Sequence, residues 1–163
     1  MAYLLDTDVF IQAKNLHYRF DVCPGFWSWL DQAHIAGTVY SIEKVGDELK
    51  AGADDLATWA AARPGLFLQP DSATIPSLQA VSLWASGGSF PSAAVNTFLQ
   101  VADYYLVAYA HAHQHIVVTH ERVAVGTKKI KIPNACIELG VKCMTPFEML
   151  RVERARFVLA PPA

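Results

Sequence analysis

Short apolar runs alternate with longer amphipathic stretches along this chain. Tyr3-Leu4-Leu5 stops at Asp6 and reads as a buried strand with a polar tip. Helical sequence follows from about Val9 into Lys14–His17. Pro24-Gly25 opens a second helix, Phe26 to Ala36, with Phe26, Trp29, Leu30 and Ala33 on one face and Gly37 ending it. Thr38-Val39-Tyr40 predicts a second strand, and Ser41 is placed to cap a helix carrying Val45, Glu48 and Leu49. Asp54-Asp55 starts a short helix to Ala62, stopped by Pro64-Gly65, and Leu66-Phe67-Leu68 is a strand or an extended connection.

A helix is expected from about Ser72 to Ala85, with Pro76 inside it, and then a loop over Ser86–Ser89. Pro91 opens helical sequence, and another helix runs over Asp103–His113. Ile116-Val117-Val118 is the clearest buried strand and leads into Thr119-His120-Glu121. Val141-Lys142-Cys143 predicts a last strand, and Pro146 starts a helix to roughly Arg156. Apolar strands alternating with helices predict a single-domain, three-layer α/β/α fold with a mostly parallel central sheet. The domain is expected over residues 1–158, with a flexible tail over 159–163. Sites in such sheets lie beyond the carboxyl ends of the strands, where Asp6 and Glu121 fall.

Composition narrows the function classes. Of 163 residues, 53% are hydrophobic and 17% charged, enough apolar sequence for one domain with a real core. A net charge of −2 gives no global attraction to a polyanion, so any such attraction must come from a local patch or a bound metal. Three cysteines without a CxxC imply neither a zinc site nor a disulfide framework, and a reducing cytosol is the expected home. The first residues do not read as a signal peptide, and no apolar stretch reads as a membrane span. Without a GxGxxG or Walker sequence, no nucleotide cofactor is implied.

The chemistry lies in the acids. Asp6 and Asp8 follow the first strand, Glu48 lies on the helix after the second, Asp103 stands at a helix start, and Glu121 follows Ile116–Val118. Each adjoins apolar sequence. A bare carboxylate at the edge of a core is costly unless it is paired or bound to metal. Gathered carboxylates repel one another, and an all-oxygen set favours hard Mg²⁺ or Mn²⁺. Taken singly, each acid could equally be a helix cap or part of a solvated face. Caps, however, do not require acids at the tips of two buried strands.

Four motifs carry a family resemblance. Leu4-Leu5-Asp6-Thr7-Asp8-Val9-Phe10-Ile11 resembles the opening strand and turn of PIN domains. The stretch Ser41 to Leu49, ending in Glu48-Leu49, resembles their second motif. Ala102-Asp103 opening an apolar helix resembles the third, and Val117-Val118-Thr119-His120-Glu121 the fourth, where Asp is commoner than Glu. The Lys128–Cys136 segment is similar to a little-characterised PIN branch associated with toxin–antitoxin loci. The resemblance implies a metal-dependent ribonuclease, often the VapC-like toxin of a pair, with RNA as substrate, an antitoxin protein as partner and a possible homodimer. It also implies Asp6, Glu48, Asp103 and Glu121 as the catalytic, metal-binding acids. Asp8 would be auxiliary, and Thr119 would orient the fourth acid or a water.

Lys128, Lys129 and Lys131, with Arg122 nearby, form the only dense basic stretch; it is either a phosphate-contacting loop beside the acids or a solvated surface. His111, His113 and His115 are split between helix faces by their spacing and read as a solvated helix end rather than a metal site. Trp27, Trp29, Trp59 and Trp84 read as core or partner contacts. Two other function classes stay open. Asp6-x-Asp8 after an apolar strand also resembles the nucleophile and acid/base pair of haloacid-dehalogenase-type phosphatases, although no Gly-Thr turn follows and no later Lys and Asp-Asp motif fits. A non-catalytic PIN-like module that only binds RNA or protein is the other.

Overall fold

In a computed structural model, which describes residues 1–162, the apolar runs become five short strands. They are β1 (Tyr3–Leu5), β2 (Val39–Ile42), β3 (Phe67–Leu68), β4 (Ile116–Val118) and β5 (Cys143–Met144). All pair in parallel, in the order β3-β2-β1-β4-β5. Every residue of β1 is buried, as a strand covered on both faces requires. The helices are α1 (Thr7–Gln12), α2 (Pro24–Ile35), α3 (Glu43–Ala51), α4 (Asp55–Ala61), α5 (Thr74–Gly87), α6 (Ser92–Gln100), α7 (Ala102–His113), α8 (Ile132–Leu139) and α9 (Pro146–Val152). The result is the expected three-layer α/β/α fold, its sheet wholly parallel among the described residues.

The strand order positions the site. From β1 the chain builds β2 and β3 on one side, then crosses to β4 and β5 on the other. β1 and β4 are neighbours with Leu5 opposite Val118, so Asp6 and Thr119 leave the sheet side by side. This is the switch point at which parallel sheets open a crevice. Helix α7 touches β2 and β4 and packs on α5, burying Leu106, Val107, Ala108 and Ala110. Helix α3 approaches β3 closely at Gly46, where a Cβ would stand 2.9 Å from the Phe67 ring.

Several expectations are corrected. Ser41 caps nothing: it lies inside β2, fully buried, and its hydroxyl donates to Leu5 O at 2.6 Å. Helix α8 was not anticipated, because Pro133 and the lysines before it read as loop. Pro133 sits in the first turn, where a missing N–H costs nothing. The same reasoning admits Pro76 in the first turn of α5, which runs on to Gly87 through part of the expected loop. Helix α1 continues as one π turn, Ala13–His17, closed by Tyr18 N–H donating to Ala13 O at 2.8 Å. Helix α9 stops at Val152 rather than near Arg156. Beyond it a turn at Glu153-Arg154 leads into chain without regular structure, and Phe157 packs edge-on against Tyr18 and Phe26. Ala163, the end of the expected tail, lies outside the described residues. Among those residues, no helix is long and apolar enough to cross a membrane.

Candidate active site

Three helix N-termini end on the acids. Asp6 caps α1, its Oδ1 accepting from Thr7 N–H at 2.7 Å. Glu48 reaches from α3 to the first N–H of α7, accepting from Ala102 at 3.2 Å, while its other oxygen accepts from the Thr7 hydroxyl at 2.5 Å. Glu121 accepts from Ile132 N–H, the first of α8, at 2.8 Å. The partial positive charge of each helix start offsets part of the carboxylate charge. This is how the fold tolerates so many acids together. Asp6 is thus a cap, Glu48 is not simply a solvated side chain, and Asp103, in the first turn of α7, caps nothing.

Thr119 ties the two strand tips together. Its hydroxyl lies 2.8 Å from Asp6 Oδ2 and 3.3 Å from Asp8 Oδ2, and its single proton can serve only one at a time. The same oxygen accepts from Glu121 N–H at 3.0 Å, while His120 N–H donates to Asp8 Oδ1 at 3.2 Å. Thr119 therefore orients the first acid directly and the fourth through its backbone. Thr7, which fixes Glu48, was missed from sequence; a hydroxyl between two aspartates at a helix start was the available signal.

The electrostatics single out two acids. Asp6 is 4% exposed, and its carboxyl is pushed well above the usual range by burial, then by the charges of Asp8 and Asp103, against the Thr119 hydrogen bond. Asp103 is pushed up to about 6 by burial, then by Glu121 and Glu48, with Lys129 pulling the other way. Among the described residues, no protein group donates a hydrogen bond to the Asp103 carboxylate. The five acids thus gather beyond the carboxyl ends of β1 and β4, where their charges act on Asp6 and Asp103.

The same residues fit a metal of a particular kind. Among the described residues, no three Asp, Glu, His or Cys side chains already stand around one point as ligands. Asp6, Glu48 and Glu121 each have both oxygens engaged by protein donors. The donor set is oxygen only, and it is mutually repelling, with Asp103 left undonated. That suits a hard divalent ion that keeps several waters and takes few direct protein ligands.

The basic stretch divides in two. Lys131 Nζ stands 3.3 Å from Glu121 Oε1, so this lysine is spent on the acid rather than held out for phosphate. Lys128 and Lys129 are exposed and line a groove of about 290 Å³ with Thr97, Phe98, Val101 and Asp103. The histidines at the end of α7 are not simply solvated: His111 shares a hydrogen bond with Ser77, and His115 accepts from Ala2 N–H. Trp27 and Trp59 are core, packed on each other, and Trp29 and Trp84 pack partly buried against it. Neither His17 nor Phe147 was singled out from sequence, yet both pack against His120 beside the acids.

No curated protein and no solved structure matches the chain. One family model does, over residues 3–157, which takes in all five strands and every acid of the site. The protein therefore belongs to the family described as a domain of unknown function, DUF4411.

Proposed function

We propose that this protein is a divalent-metal-dependent ribonuclease that hydrolyses RNA phosphodiesters at the β1/β4 crevice. The observation that carries the reading is Asp103. It is a carboxylate with no protein donor, raised to about 6 by burial and then by its acidic neighbours, at the switch point of a parallel sheet. A structural acid would be expected to have a partner; one kept without a partner suits a cation that comes and goes. The four motifs that resemble PIN domains support the same chemistry.

Asp6, Glu48 and Asp103 would hold Mg²⁺ or Mn²⁺, and Glu121, already paired with the Lys131 ammonium, would do so through water. The ion would supply Lewis acidity toward a phosphate oxygen and a more acidic bound water. The chain's own residues provide the setting. Thr119 and Thr7 fix Asp6 and Glu48, helix starts α7 and α8 place positive ends at the crevice, and Lys128 and Lys129 hold flanking phosphates. The resemblance to VapC-like toxins adds an antitoxin that covers this crevice. Expression without it should slow growth, and Asp6→Asn should relieve the effect.

The test is cleavage of a mixed RNA pool in Mg²⁺ or Mn²⁺, with products mapped, beside Asp6→Asn and Asp103→Asn. Metal-dependent cutting that both substitutions abolish is the expected result. Absence of cutting by the unaltered chain, or equal cutting by the variants, rejects the reading.

A further inference from the structure

On the Asp8 side of the acids, three rings meet at the surface. His17 and His120 lie 5.4 Å apart between centroids, and the Phe147 ring stands edge-on to His17 at 5.2 Å and to His120 at 5.5 Å. They come from the π turn after α1, the tip of β4 and the first turn of α9. Phe147 is 45% exposed and His17 is also exposed. Among the described residues, neither imidazole has a side-chain hydrogen bond. The cluster abuts the carboxylates, because the His120 backbone is bonded to Asp8.

The π turn places His17 there. It lies four residues after buried Ala13 and seven after buried Phe10, positions that share one face of a regular α-helix. A regular helix would therefore direct His17 toward the core. The wider turn carries it outward to meet His120 and Phe147. Such turns recur at functional sites because they re-aim a side chain at some cost in hydrogen-bond geometry.

We propose that His17, His120 and Phe147 form a stacking platform for an unpaired base of single-stranded RNA next to the acids. This rests on the reading of the acids as a phosphodiester site. The two sides of the crevice then offer the two contacts a single strand needs. Lys129, which acts on Asp103, faces phosphates, and the rings beside Asp8 face a base. Flat rings with polar edges accept any base by its π-face, whereas bases stacked inside a duplex are not free to dock. Two histidines make this patch a better match for a nucleobase than for an aliphatic protein segment.

The test uses the full chain in Ca²⁺ and a short single-stranded RNA carrying 2-aminopurine, whose fluorescence falls when it stacks. The unaltered protein is expected to quench it on saturation. Phe147→Ala and His17→Ala should each abolish the quench and weaken binding by about five- to a hundredfold. Neither should alter the salt dependence, since stacking releases no counterions. Phe147→Trp should restore the quench. The same RNA annealed to its complement should bind weakly and alike to all variants.

Absence of quenching by the unaltered protein, or quenching and affinity unchanged in both alanine variants, overturns the platform. The same holds if the rings prove to be covered by a partner protein whose binding, and not RNA's, the alanine variants abolish. Cleavage of the RNA pool is scored separately. Cutting without a ring effect leaves the nuclease reading and removes the platform; quenching without cutting keeps the platform and removes the nuclease reading.

Discussion

Helix α7 carries ionisable groups at both ends, and the two ends are built on opposite terms. At the C-terminal end every group has a partner. His111 shares a 2.8 Å hydrogen bond with Ser77 Oγ, and His115 accepts from Ala2 N–H at 3.1 Å. His113 Nε2 lies 2.9 Å from Asp71 Oδ2, close enough to pair though not aligned as a hydrogen bond. Asp71 is held below the usual carboxylate range, first by its hydrogen bond from Thr74 and then by His113. At the N-terminal end Asp103 is pushed up, first by burial and then by the like charges around it. A run of histidines is conspicuous in sequence and compensated in structure. A lone aspartate at a helix start is ordinary in sequence and, with only Lys129 acting against its acidic neighbours, largely uncompensated in structure. Charge left without compensation, rather than charge density along the chain, marks the candidate site.

The contrast is most exposed to a paired substitution. Asp103→Asn keeps the shape and removes the uncompensated charge. It is expected to lower RNA cleavage by about a hundredfold or more, since even partners behind a metal ligand can be worth 10–100-fold. His113→Ala, at the other end of the same helix, should leave cleavage unchanged. Steady-state rates on one RNA, with melting curves as a folding control, decide it. A comparable loss from both would mean that α7 matters only as a scaffold.

The next effect acts through packing. Glu48 is carried by α3, which lies against β3 because residue 46 is glycine. Gly46→Ala puts a methyl 2.9 Å from the Phe67 ring, which must give or push the helix off. The expected cost is about 1–3 kcal/mol, read from urea unfolding, with a partial loss of cleavage as Glu48 leaves Ala102 N–H. Full activity at reduced stability would show that Glu48 is a cap and nothing more.

Much of this arrangement was legible in the chain. β1 and β4 declare themselves as apolar runs ending in polar residues, and their tips supply Asp6, Thr119 and Glu121. What sequence could not show is pairing across distance: that Glu48 caps α7, that Glu121 caps α8, or that Lys131 is taken up by Glu121. Ser41 was misread because the local signal for a cap matches that of a hydroxyl buried in a strand. Helix α8 did leave a signal. Ile132, Ala135, Cys136 and Leu139 follow the i, i+3, i+4, i+7 spacing, but the lysines and Pro133 before it suggested loop. The π turn left none, since its extra residue shows only in the backbone.

Stability against pH separates the two ends by sign. Asp103 has an ordinary pKa of 3.8 and about 6 in the fold, so between those values the folded chain holds a proton that the unfolded chain has released. Stability contributed here falls as pH rises from about 4 to about 6 and stays lost above that. Asp71, held low, acts the other way: its contribution is present above its ordinary value of 3.8 and is lost as pH falls through the folded one. In chelator, Asp103→Asn should raise the melting temperature by a few degrees at pH 7.5 and leave it unchanged at pH 4. Added Mg²⁺ or Mn²⁺ should stabilise the unaltered chain more than the variant at pH 7.5. Equal metal stabilisation of the two would place the ion elsewhere.

The smallest effect concerns the lysines, and it extends the same logic to cations. Lys131 is compensated by Glu121, whereas Lys128 and Lys129 stand exposed on the groove beside Asp103. Only an uncompensated lysine can release a counterion when a phosphate arrives. Each phosphate contact on a single strand contributes about 0.7 to the log–log salt slope. Lys128→Ala and Lys129→Ala should therefore each flatten the slope by about that amount, a difference of roughly two- to threefold in affinity between 50 and 200 mM salt. Lys131→Ala should leave the slope unchanged and act instead on Glu121, freeing Oε1 while Ile132 N–H still holds Oε2. RNA affinity across a salt series in Ca²⁺ reads all three. If Lys131→Ala flattens the slope as much as the others, its pairing with Glu121 gives way to RNA, and compensation within the free protein does not predict which cations the strand will recruit.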